Sequence, residues 1–234
     1  MPSNAPSHIV EVYRTARSLP MDVWEALHAN PRGSNVILPY VKKARQSTEV
    51  TPDASPNVWL VCSTYRAGSS TASVDFIVSC TEGPLGSYPL FIYTPIPATQ
   101  LTSSFYTPRL RSLIRELSHS VPPERVFSVF ALEPIARCFA SLWTHASGIE
   151  LEQDPEYYAA KLTYCNANTF QAGHLAPLRD VSYELRPARE SDIKSVAELC
   201  YGFATTSVSQ RQWCTIDGML IVLVGTVHFV HERC

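Results

Sequence analysis

The sequence predicts an α/β (α+β) protein, a mixed, largely antiparallel sheet flanked by helices. Three observations carry that expectation. Residues 126–132, Val-Phe-Ser-Val-Phe-Ala-Leu, are a short apolar run of β-favouring residues, the pattern of a strand buried on both faces. In the segment 134–147 that follows, Ile135, Cys138, Phe139, Leu142 and Trp143 fall at i, i+3, i+4, i+7 and i+8. They make one apolar helical stripe that opens on Pro134 and closes on Gly148. Upstream, 58–65 and 74–80 are β-branched apolar runs on either side of a Gly/Ser turn, which predicts an antiparallel hairpin.

Residues 1–8 are rich in Pro, Ser and Asn and read as a disordered N-terminus. Two short helical patterns follow, 9–17 and then a segment in which Asp22 caps Val23, Trp24 and Leu27 before Pro31-Arg32-Gly33 ends it. The stretch 36–46 is ambiguous: Val36, Ile37, Tyr40, Val41 and Ala44 fit a helical stripe that tolerates Pro39 only near its start. After a Pro-containing loop over 48–57 come the hairpin strands, and Leu90–Tyr93 is a further short strand stopped by Pro95 and Pro97. A helix over 106–118 carries Leu110, Leu113, Ile114 and Leu117 on its buried face, with Pro108 in its first turn, and Pro122-Pro123 breaks it. Beyond Gly148 the pattern gives a strand at 149–151, a helix capped by Asp154-Pro155 and running to 161, and a return to the sheet at 162–165. Residues 166–182 read as a linker. Past it, 183–187 resembles a strand, and Ser191-Asp192 caps a helix with the stripe Ile193, Val196, Ala197 and Cys200. The run 219–230 is strand-like, and at about twelve residues it is short of the roughly twenty of a spanning helix.

A formal net charge of −2 over 234 residues offers no basic surplus, so neither nucleic acid nor an anionic membrane is an expected partner. The seven cysteines are odd in number, scattered and mostly set in apolar runs. They read as free thiols in a reducing compartment, and without a legible signal peptide the expected location is cytoplasmic.

Several residues invite a chemical reading and are outweighed by a structural one. His228, His231 and Cys234 have a spacing of three, which brings ligands together on a helix but sends them to opposite faces of a strand, so no metal is expected. His119 and His145 sit where a helix C-terminus favours a cation. Glu150, Glu152, Asp154 and Glu156 read as a solvated acidic loop. Gly83, Gly86 and the run Ala67-Gly68-Ser69 are turn chemistry rather than phosphate loops. No Gly-x-Ser-x-Gly elbow supports hydrolysis.

Two places resemble the GNAT superfamily of acyl-CoA-dependent N-acyltransferases. Residues 183–200, Tyr-Glu-Leu-Arg-Pro-Ala-Arg-Glu-Ser-Asp-Ile-Lys-Ser-Val-Ala-Glu-Leu-Cys, are similar to the strand and helix that open such a domain. The family often carries Asn-x-x-Ala-x-x-Leu-Tyr-x-x-x-Gly-Phe near the end of its fold. Aligned on Gly148, that pattern sets Arg137 at Asn, Ala140 at Ala, Trp143 at Leu, Thr144 at Tyr and Ile149 at Phe. The resemblance implies a degenerate GNAT-like domain over 9–165, a linker over 166–182, and over 183–234 the truncated start of a second domain with a divergent tail. It implies acetyl-CoA or another acyl-CoA as co-substrate and a small-molecule amine as acceptor. Two departures stand against that activity. Thr144 replaces a tyrosine that in the family frequently protonates the leaving thiolate; Tyr157 or Tyr158 could replace it, against the alternative that both serve in packing. The family's phosphate-binding turn, Arg/Gln-x-x-Gly-x-Gly/Ala, has no counterpart, because 94–107 contains no glycine. The competing expectation is a non-catalytic GNAT-like module that engages a partner protein or forms a homodimer. No catalytic or cofactor-binding residue is assigned from the sequence.

Overall fold

The computed structural model describes residues 7–46, 56–65, 72–83, 86–160, 168, 186–206 and 224–229. The chain divides into two compact units, Met1–Thr163 with Met219–Cys234, and Tyr164–Gly218.

The first unit is built on a seven-stranded sheet. Its strands are β1 (Ser7–Tyr13), β2 (Val58–Tyr65), β3 (Ala72–Cys80), β6 (Leu90–Tyr93), β7 (Ser128–Leu132), β8 (Leu151–Ala160) and β9 (Val224–Phe229). They lie in the order β1-β2-β3-β6-β7-β9-β8. Every neighbouring pair is antiparallel except β6 with β7. A two-residue ribbon, β4 (Glu82–Gly83) with β5 (Gly86–Ser87), fills the turn before β6. The hairpin 58–65/74–80 is therefore present as β2 and β3, the latter begun two residues earlier, and the strand expected at 126–132 lies inside the sheet as 128–132. An all-round apolar strand belongs there, because both of its faces are covered.

Helices cover the two faces unequally. On one face, α1 (Met21–Ala29) and α2 (Leu38–Gln46) bury Val23, Trp24, Leu27, Ile37, Leu38 and Val41 against Trp59, Val61, Ile77 and Phe91. On the other, α3 (Ser103–Ser120) and α4 (Glu133–Ser147) bury Leu110, Leu113, Leu117, Ile135, Phe139 and Trp143 against Leu60, Phe76, Val78 and Val129. The sequence stripe of α4 is this buried face. Its cap is the one the sequence requires: Gly148 takes φ 76°, where a side chain would be strained, and its N–H bonds the Thr144 carbonyl.

The structure corrects five expectations. Residues 9–17 are not a helix: 7–13 form β1, in which His8 and Val10 face α3 while Ile9, Glu11 and Tyr13 face the other way, a period of two misread as helical. His8 is accordingly not in a disordered segment. The helix proposed from 154 to 161 is strand β8 through Ala160. Pro155 is tolerated because β8 ends the sheet, where a missing N–H costs no ladder bond. Pro20 rather than Asp22 stands at the N-cap of α1, and Asp22 sits in its first turn. Helix α3 starts at Ser103, a turn before the expected 106, so Pro108 lies within it rather than in its first turn.

In the second unit, a 3-10 turn Glu190–Asp192 leads into α5 (Ile193–Thr206). Arg186 clamps the Asp192 carboxylate at 2.7 and 3.0 Å, and the Arg189 N–H also donates to it, so the carboxyl is held below its usual range first by Arg186 and then by that N–H. Ile193, Val196 and Leu199 are exposed on α5. The strand expected at 183–187 falls outside the described residues up to 185, as do 162–165 and most of 166–182.

Candidate functional site

The one parallel junction of the sheet is where its ladder opens. β6 and β7 pair only through Leu90 with Val129 and Phe91 with Phe130. Beyond that point Ile92 and Tyr93 keep their pairing to β3, and Ala131 and Leu132 keep theirs to β9, but the two strands no longer bond each other. The β6–β7 ladder therefore ends before the carboxyl ends of the two strands, the position at which sheets with parallel strands receive ligands.

Two helix N-termini flank this end of the sheet, and they differ in charge. α4 follows β7 directly and carries Glu133 in its first turn, ion-paired to Arg137 at 2.9 Å, so its own carboxylate occupies the positive end of its dipole. α3 follows β6 through 94–102. Its first turn holds no acidic residue, and the Thr102 and Ser104 hydroxyls lie 3.0 Å apart at its mouth. Of the two, only the α3 mouth is electrostatically open to an anion.

A buried polar cluster fixes where that mouth lies. The ladder slips between Cys62 and Ser63, pairing them with Phe76 and Val74, so that Asp75 is an extra residue in β3. This bulge turns Asp75 toward the α3 side together with Phe76, where strict alternation would send it to the other face. Arg109 Nε donates to Asp75 at 2.7 Å, its second nitrogen to the Thr64 hydroxyl at 2.7 Å, and its third to the Phe105 carbonyl at 2.8 Å. The guanidinium also lies 3.8 Å over the Phe105 ring. The Thr64 hydroxyl donates to Asp75 as well. Thr94, just past β6, donates to the Asp75 carbonyl at 2.7 Å and accepts from the Ile96 N–H. The bulge thus holds both ends of the β6–α3 connection.

On edge strand β1, His8 stands opposite Thr64 and places Nε2 3.0 Å from the Ser112 hydroxyl of α3. Burial and then the Arg109 guanidinium lower its pKa below 6.5, with Arg115 acting in the same sense and Asp75 opposing. The unfolded chain therefore binds the proton more readily. Stability from this group is complete above pH 6.5 and is lost as pH falls through the lower folded value. The expected result is a melting temperature that drops between pH 7 and pH 5, with the slope reduced in His8→Gln. An unchanged slope would show that His8 is not responsible.

Cysteine chemistry is not poised in this sheet, neither at Cys62 near the bulge nor at Cys80 at the opposite end of β3. Burial pushes the Cys62 thiol up to about 12 and the Cys80 thiol up to about 11, so both are protonated at neutral pH.

The residues singled out in the sequence are scattered. His119 and His145 lie in the last turns of α3 and α4. Glu156 pairs with Arg137 at 2.7 Å, so that arginine bridges two carboxylates. Thr144 has a buried hydroxyl without a hydrogen-bond partner among the described residues, and it sits eleven residues into α4, roughly 16 Å along the axis from the helix start. His228 lies in β9, where its backbone pairs with Ser128, whereas His231 and Cys234 are outside the described residues. Tyr157 and Tyr158 lie on β8. Among the described residues no group of His, Cys, Asp and Glu is arranged to hold a metal, and no helix is long and apolar enough to cross a membrane. The Asp75–Arg109 pair was not anticipated. Its signal in the sequence is a lone carboxylate inside an apolar strand and a lone arginine beside Leu110 on an apolar helix face.

In comparisons with protein-family models, curated proteins and solved structures, none matches this chain.

Proposed function

We propose that the first unit binds acyl-CoA as a member of the GNAT acyltransferase lineage and, if catalytic, transfers the acyl group directly to a small-molecule amine. The observation that carries this reading is the opening of the β6–β7 ladder beside an α3 N-terminus free of acidic residues. It falls in the segment, 94–107, that the family resemblance equates with the phosphate-binding turn. Backbone N–H groups of Ser103 and Ser104 would take phosphate oxygens in place of a glycine turn. In direct transfer the amine attacks the thioester carbonyl as a free base, the carbonyl oxygen is held by backbone donors, and the thiolate leaves with a proton. Thr144 cannot supply that proton as a phenol would.

Calorimetry with acetyl-CoA and longer acyl-CoAs tests the reading: saturable heat is expected, and no heat with any of them would remove its support. Ser104→Asp sharpens the test because its two effects have opposite signs. A carboxylate in the first turn of α3 stabilises the helix by about 0.3–1 kcal/mol, yet it faces the ligand phosphates and should weaken acyl-CoA binding severalfold. A stabilised variant with unchanged affinity would place the ligand elsewhere.

A second reading, a non-catalytic module that engages a partner chain, is favoured by the absence of glycine from 94–107, by Thr144, and by the exposed apolar residues of α5.

A further inference from the structure

The second unit begins and ends inside the first. Met1–Thr163 and Met219–Cys234 belong to one compact unit and Tyr164–Gly218 to the other, so the chain leaves the first unit once and returns to it once. Departure and return fall at one place on the sheet. β8 ends on Ala160, β9 starts on Val224, and these two residues are directly opposed. Tyr158 with Thr226, Ala159 with Gly225 and Ala160 with Val224 make an unbroken antiparallel run, as the two arms of a hairpin do beside their turn. The returning strand is also interior, paired with β7 on its other side, so the first unit is closed only once the chain has come back.

Among the described residues, neither core cluster of the sheet draws on the stretch between. Their buried members run from Ala16 to Trp143, and the partly buried ones packed against them from Val10 to Leu151. Ile193, Val196 and Leu199 of α5 stay exposed. The elements of the candidate site, Leu90–Tyr93, Ser128–Leu132 and the start of α3 at Ser103, lie in the first unit as well.

We propose that residues 161–223 are an insertion in a β8–β9 hairpin, and that the first unit is complete without them, its ligand site included. The family resemblance reads 183–200 as the start of a second domain that follows the first. The return of the chain to β9 makes the stretch a module carried at a turn of the first domain instead. Completeness of the ligand site rests on the acyl-CoA reading, and completeness of the fold does not.

Two excision variants test the insertion. In one, 161–223 is replaced by Asn-Gly, a two-residue turn suited to opposed strands. In the other it is replaced by a Gly/Ser linker of about six residues, which makes no demand on turn geometry. A shorter connection costs less closure entropy, so at least one variant should unfold in a single cooperative step, at a melting temperature no lower than that of the full chain. In the full chain, hydrogen exchange should show α5 opening without 128–132 and 151–160 opening with it. Failure of both variants to fold, or loss of protection in α5 and those strands together, overturns the proposal. Calorimetry with acetyl-CoA separates the site from the fold. The dissociation constant of a folded variant should lie within about threefold of the full chain's. A folded variant without the heat that the full chain gives overturns the inclusion of the site in the first unit. A full chain that itself gives no heat with any acyl-CoA removes the transferase reading, and the melting and exchange results then decide the insertion by themselves.

Discussion

Asp75→Ala lowers the stability of this protein by about 3–5 kcal/mol, the cost of leaving a buried guanidinium without its counter-ion. Arg109 and Asp75 are both buried, and the carboxylate accepts from Arg109 and from Thr64. Against a typical stability of about 5–15 kcal/mol this is a large fraction, and it should move the urea midpoint by more than about 1 M. Arg109→Met should be comparably damaging at neutral pH, with one difference that identifies the cause. The stranded Asp75 carboxylate can be neutralised by a proton, so the variant recovers stability as pH falls. The Asp75→Ala variant has no such route, because its stranded arginine cannot be neutralised. A double variant, Asp75→Leu with Arg109→Met, removes both charges and should lie well above either single variant, so the coupling energy is the decisive measurement. Additive losses would mean that the two side chains act independently and that the bulge, rather than the ion pair, holds α3. Because the Asp75 carboxylate holds Arg109 in the second turn of α3, Asp75→Ala should also loosen the start of that helix, which hydrogen exchange over 103–110 would read.

That cluster marks the boundary of what the sequence could disclose. Elements whose period is carried by many residues were legible: the α4 stripe from Ile135 to Trp143 with its Gly148 cap, the α3 leucines, and the β2–β3 hairpin all stand where their patterns put them. The edges were not, and for a common reason. In β1 the alternation in His-Ile-Val-Glu-Val-Tyr is only partly expressed: β1 ends the sheet among the described residues, and Ile9 and Val12 remain exposed on it. In β8 an edge admits Asp154-Pro155, a pair that elsewhere opens a helix. The site lay further out of reach, since a bulge is a property of two strands in register. Nothing in Val74-Asp75-Phe76 alone says that two consecutive side chains will share a face.

The last strand is the second place where a small change should have a large effect. β9 is an interior strand: Val224–Phe229 pairs with Ser128–Leu132 of β7 on one side and with β8 on the other. Its backbone is the only link in the ladder between β7 and β8 among the described residues. Deleting 219–234 would leave β8 without a sheet neighbour and turn β7, apolar on both faces, into an open edge. Such a chain should lose cooperative unfolding over the α4 half of the sheet and aggregate, while β1, β2 and β3 retain their mutual pairing. A gentler variant separates the ladder from the side chains. Val227→Pro removes one N–H and adds a ring that an interior strand does not accommodate, at a cost of about 3 kcal/mol or more, whereas Val227→Thr keeps the backbone intact and should cost far less. Hydrogen exchange reads the difference residue by residue. In Val227→Pro, protection should fall in 128–132 and 151–160 and persist in 58–65 and 72–80. Protection that stays high in β7 and β8 would show that β9 lies on the sheet without sustaining it.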